Sequence, residues 1–115
     1  MRHHNANRKF GLKTDQRKAL MRSLAQSLVI REKIKTTEAK AKELRPFVEK
    51  LVTRSKISTI PTRRFLVTEV GAEGAKKLID ILGPKFKERQ GGYTRIIRLP
   101  RRISDSSAMA RIEFV

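Results

Sequence analysis

Leu20, Leu24 and Leu28 recur at i, i+4 and i+8, with Met21 and Ala25 beside them. That spacing predicts an amphipathic helix from Thr14 to about Ile30. Thr14 is a candidate N-cap, and Asp15 complements the positive end of the helix dipole. Lys33-Ile34-Lys35-Thr36-Thr37 then brings in β-branched residues, with Ile34 and Thr36 on one side, the pattern of a short strand. Thr37 is placed to cap a second helix, whose apolar stripe is Leu44, Phe47, Val48, Leu51 and Val52. Pro46 falls inside it. An interior proline loses one ladder hydrogen bond and costs about 3 kcal/mol, so a kink is expected near Lys42 to Arg45.

A polar break at Ser55 to Ser58 and then Pro61 open a third, shorter helix with Leu66 and Val70. Gly71 and Gly74 separate it from a fourth, built on Ala75, Leu78, Ile79 and Leu82. Gly83-Pro84 is expected to stop that helix, glycine in the left-handed conformation and proline blocking continuation. From Tyr93 the period changes. Tyr93 to Leu99 and Ala108 to Val115 are rich in β-formers, and Ala110, Ile112 and Phe114 alternate with Arg111 and Glu113. They predict two strands joined by a wide hairpin. The order helix, strand, three helices, two strands gives an α+β fold, with helices packed on a small three-stranded sheet.

Residues 1 to 13 lack apolar periodicity and read as an extended basic arm, leaving 14 to 115 as a single domain. Charge sharpens this picture. Twenty-eight Lys and Arg stand against 11 Asp and Glu in 115 residues, a net +17 spread through every third of the chain. Such a surface opposes its own compaction until a polyanion neutralises it, and nucleic acid matches that sign and density. With 38% apolar residues, no Trp and one Tyr, the core must be small and mostly aliphatic, so the free protein is expected to have a narrow stability margin.

Other function classes lack their residues. Without Cys there is no disulfide and no thiolate metal ligand, and the only histidines, His3 and His4, are adjacent in the arm. No paired acid and base or activated nucleophile emerges, so neither an enzyme, a cofactor nor a small-molecule substrate is expected. No apolar run reaches the roughly 18 residues of a membrane helix, and the polar, basic start is unlike a secretory signal.

A set of fragments then carries a family pattern: Met1-Arg2-His3, Ile34-Lys35-Thr36-Thr37, Ala39-Lys40-Ala41-Lys42-Glu43-Leu44-Arg45, Arg63-Arg64, Gly83-Pro84-Lys85-Phe86, Gly91-Gly92-Tyr93-Thr94-Arg95-Ile96 and Met109-Ala110-Arg111-Ile112-Glu113. In this order the chain resembles, over its whole length, the bacterial L-seventeen family of large-subunit ribosomal proteins. The resemblance implies a structural protein of the bacterial cytosol, bound to large-subunit ribosomal RNA near the polypeptide exit tunnel beside neighbouring ribosomal proteins. Its start at Met1 also argues against an organelle presequence.

The candidate RNA contacts follow from residue type. In the arm, Arg2, Arg8, Lys9 and Lys13 suit phosphates, and His3 or Phe10 suits stacking on an unpaired base. The plainer reading is a frayed terminus, which charge and resemblance outweigh. Arg17, Lys18 and Arg22 line the polar side of the first helix, where Asp15 is the one acid before Arg31. In the second helix Glu38, Glu43 and Glu49 offset the lysines, giving a solvated face. Gly91 and Gly92 allow a close approach of backbone to phosphate, with Arg89, Arg95 and Arg98 around them; Tyr93 there is either a stacking ring or core. Lys35, Arg63, Arg64, Arg101 and Arg102 complete the set. Two other polyanions stay open as alternatives: DNA, which would call for a recognition helix, and an acidic membrane surface, which would call for one long amphipathic helix.

Overall fold

A computed structural model describes residues 8–115, with the elements in the expected order. Helix α1 spans Thr14–Arg31, beginning where its pattern suggests but with its N-cap one position earlier. Lys13, not Thr14, is the N-cap, and its backbone N–H donates to the Gln16 side-chain oxygen at 3.3 Å. Glu32 ends the helix in the left-handed region (φ 67°), donating its N–H to the Leu28 carbonyl at 2.7 Å. The chain turns there into strand β1, Lys33–Thr37. Thr37 caps helix α2, Glu38–Ser55, its hydroxyl accepting from the Lys40 N–H at 3.3 Å, and α2 is continuous across Pro46.

The helical span α3, Ile60–Lys77, holds the third helix and the start of the fourth, broken from one another at Gly71 as the sequence suggests. Gly71 alone within it leaves helical geometry, at φ 79° and ψ 172°, which a side chain would strain. The helical path then runs through a π-helical turn, Leu78–Leu82, into the short α4, Gly83–Lys85. Gly83 is therefore not the expected left-handed stop: its φ is −56°. It is a packing glycine. A Cβ there would lie 3.0 Å from the carbonyl oxygens of Leu78 and Ser55 and 3.2 Å from the Ser55 hydroxyl. Overpacking of this kind costs about 1–3 kcal/mol, so Gly83→Ala is expected to lower the urea midpoint of unfolding. An unchanged midpoint would show that the end of α2 yields freely.

Strands β2, Thr94–Leu99, and β3, Met109–Phe114, complete an antiparallel sheet of order β1-β3-β2. Paired residues share a face, so the register sorts the side chains. Ile34 pairs with Ile112 and Ile112 with Ile96; Thr36 pairs with Ala110, and Phe114 with Thr94. This inner face receives α2, with α1 and α3 behind it, and the buried cluster includes Leu44, Val48, Leu51, Leu66, Leu78 and Ile112. The α1 residues that enter the core are Met21, Ala25, Leu28 and Val29. Leu20 and Leu24, expected at the centre of its stripe, are only half-buried. Successive i+4 steps drift about 40° around a helix, so packing against α2 and α3 selects the row one residue further on.

Candidate nucleic-acid interface

The register that builds the core also collects cations on the opposite side of the sheet. Lys33 pairs with Glu113 and Glu113 with Arg95; Lys35 pairs with Arg111 and Arg111 with Ile97. Four basic side chains from three strands thus share one outer face with a single carboxylate. Arg95 holds Glu113 through Nε and Nη2 at 3.1 and 2.9 Å, and Arg111 holds it through Nε at 2.7 Å. Those hydrogen bonds, Arg95 first, keep the Glu113 carboxyl below its ordinary range. A depressed folded pKa adds stability above the unfolded value of about 4.5 and loses it as pH falls through and below that range. Glu113→Gln is therefore expected to shrink the drop in urea midpoint between pH 7 and pH 4. An equal drop would show that the pairs contribute no stability.

Lys33 and Lys35 are exposed and, among the described residues, have no acid partner. Sequence reasoning chose Lys35 and Arg95 but missed Lys33 and Arg111, because only the strand register places them together. A second group surrounds the β2–β3 hairpin. Arg98 is 80% exposed and reaches Glu38 at 3.5 Å. Glu38 is held below the ordinary glutamate range by the Lys42 hydrogen bond first, and by the charges of Arg98 and Arg101 further down. In the loop Arg101 donates to the Ser106 carbonyl at 2.8 Å, Arg102 approaches Asp105 at 3.4 Å, and Asp105 accepts from the Ser107 N–H at 3.1 Å. The hairpin tip is thus an ordered basic turn, with Ile103 fully exposed between its bonds.

A third group lies at the start of α1. Arg8 meets Glu43 of α2 at 3.1 Å, and Arg22 meets Glu69 of α3 at 3.3 Å. Arg22 therefore has the acid partner that local spacing did not supply. Lys18 is exposed and Arg17 half-buried beside them, and Lys9 to Leu12 form a turn closed by the Leu12 N–H on the Lys9 carbonyl at 3.0 Å. Lys9 and Lys13 are exposed, whereas Arg2 and His3 lie outside the described residues. Arg63 and Arg64 are exposed on the first turns of α3, apart from these groups in the chain.

Tyr93 is core, which removes it from the candidate contacts. It is 1% exposed, its ring lies 5.2 Å from that of Phe86, and its hydroxyl shares a hydrogen bond with Thr53 at 3.1 Å. The Lys56 ammonium lies 4.8 Å above the ring, leaving no open face for a base. Lys56 and then Thr53 hold the phenol below its usual pKa. Lys56 also donates to the Arg89 carbonyl, and exposed Arg89 extends to the Gly92 carbonyl at 3.5 Å. Gly91 and Gly92 take positive φ, 90° and 63°, in open space, so the loop needs their conformation and packs nothing against them. Glu49, read as surface charge, instead accepts from the Thr94 N–H at 3.2 Å and hydroxyl at 3.0 Å, tying α2 to β2.

No group of His, Cys, Asp and Glu able to hold a metal occurs among the described residues, and no described helix is long and apolar enough to cross a membrane. The family model described as ribosomal protein L17 matches residues 20–115. The large ribosomal subunit protein bL17 of Gemmatimonas aurantiaca is 51% identical over 116 residues, which cover 100% of this chain and 98% of that protein. The bL17 protein of Thermomicrobium roseum is 47% identical, covering 100% and 99%, and that of Rickettsia bellii 46% identical, covering 100% and 82%. With the family model and these full-length similarities in agreement, the chain belongs to the ribosomal protein L17 family.

Proposed function

We propose that this protein is a structural constituent of the large ribosomal subunit, without catalytic activity, that binds and stabilises large-subunit ribosomal RNA in the bacterial cytoplasm. The observation that carries the RNA-binding part is the outer sheet face, where Lys33, Lys35, Arg95 and Arg111 stand in register around Glu113 alone. A rigid array of this kind meets phosphates without paying again for its own ordering. The hairpin arginines Arg98, Arg101 and Arg102, and Lys9, Lys13, Arg17 and Lys18 at the start of α1, extend the contact to further RNA strands. Arg63, Arg64 and Arg89 are exposed to do the same. Arg2 and His3 contribute from the arm.

The L17 relationship supports a place near the polypeptide exit, beside other ribosomal proteins. Ultraviolet crosslinking in intact large subunits tests both parts. Crosslinked peptides from β1, β2 and the hairpin, joined to RNA segments around the exit, are the expected result. Crosslinks only to RNA remote from the exit would remove the location, and none to RNA would remove the binding role. A DNA-binding reading fares worse, because neither basic helical face stands clear as a recognition helix: Arg22 of α1 is paired to α3, and Lys42 and Arg45 of α2 pair within their own helix.

A further inference from the structure

The basic residues at the start of α1 do more than decorate a surface. They surround a cleft of about 480 Å³ formed where α1, α2 and α3 meet the chain at Arg8. Its apolar lining is Met21, Pro46 and Phe47. Around that lining stand Arg17, Lys18 and Lys50, none of which has an acid partner among the described residues. Arg8 and Arg22 also line it, each fixed by one carboxylate, Glu43 and Glu69, which line it too.

The cleft sets a partly buried aromatic, Phe47, beside cations that have no acid partner among the described residues. A flat apolar body bearing a negative charge at one edge fits such a lining. We propose that the cleft receives one unpaired nucleotide extruded from the bound RNA. The base lies against Phe47 and Pro46, and its flanking phosphates meet Arg17, Lys18 and Lys50. Glu43 and Glu69 are the carboxylate acceptors in the cleft, so they favour a base with an exocyclic amino group, such as adenine, over uracil. The volume falls within the range of about 300–1,000 Å³ usual for pockets that enclose a small ligand. This assignment rests on the RNA-binding reading and adds to it a specific site for an unstacked base.

The test uses the full chain carrying carbon-13 methyl-labelled methionine, since Met21 lines the cleft and Met109 lies on the sheet. It is titrated with an RNA hairpin holding a single bulged adenosine, with the fully paired hairpin, and with adenosine monophosphate. The bulged hairpin is expected to bind about fivefold or more tightly than the paired one and to move the Met21 methyl upfield by ring current. Lys18→Ala combined with Lys50→Ala, both exposed positions, is expected to bring the two affinities within about twofold. Equal binding of both hairpins with an unmoved Met21 methyl would overturn the cleft assignment and leave RNA binding intact. A Met21 shift with the free monophosphate but not with the bulged hairpin would likewise overturn it, in favour of a small-nucleotide site. Failure to bind either hairpin would instead reject the RNA-binding reading beneath it.

Discussion

Tyr93→Ala is expected to leave the free protein at the edge of unfolding at room temperature. Removal of a buried ring costs about 3–5 kcal/mol, and a domain of this size with a modest aliphatic core has a total of only about 5–15 kcal/mol, at the low end here because of self-repulsion. Phe86 would lose its partner at 5.2 Å, Thr53 its hydroxyl contact at 3.1 Å, and Lys56 the ring beneath its ammonium. Tyr93→Phe keeps the ring and loses one hydrogen bond, so its cost should be about 1 kcal/mol, with RNA affinity unchanged. Thermal melts of both variants, with RNA titrations of Tyr93→Phe, check the pair of outcomes. A fully folded Tyr93→Ala that binds RNA poorly would return Tyr93 to the RNA surface.

The ambiguity over Tyr93 illustrates where a sequence stops informing. A tyrosine after two glycines looks the same whether its ring meets a base or a core; the decision belongs to Thr53 and Lys56, some forty residues away. Elements governed by local chemistry were legible: Thr37 as a cap, the β-branched run of β1, and the alternation of Ala110, Ile112 and Phe114. Gly83 shows the reverse, since its conformation is ordinary and only the close approach of Ser55 and the Leu78 carbonyl explains it. Within the candidate interface, residue type identified most of the cations, but their grouping depended on register and on long-range pairs. Arg22 and Glu69 are 47 positions apart, and no helical spacing rule reaches that far. For the same reason Lys33, Arg111 and Lys50 went unselected while their spatial neighbours were chosen.

Loss of the unpaired sheet lysines should have the largest effect on binding. Lys33→Ala with Lys35→Ala removes two phosphate contacts, and the slope of log affinity against log salt should fall by about 1.4–1.8. If the electrostatic part vanishes near 1 M salt, affinity at 0.15 M drops roughly 20-fold. Folding should be unaffected, because neither lysine has an acid partner among the described residues. Arg95→Ala should cost less, since part of its charge is already spent on Glu113 at 2.9 Å. Filter binding to large-subunit ribosomal RNA across a salt series separates these cases. An unchanged slope in the double variant would move the interface off the sheet and onto the helical cleft and hairpin.

The most direct test is sedimentation of the tagged protein, expressed in a bacterial cytosol, through a sucrose gradient after a high-salt wash. A structural constituent held by several rigid basic faces should stay with the large subunit at one copy per particle, and the Lys33→Ala, Lys35→Ala variant should leave at lower salt. Release of the unaltered protein into the top fractions, or its migration with the nucleoid, would mean that the +17 charge serves only loose polyanion binding.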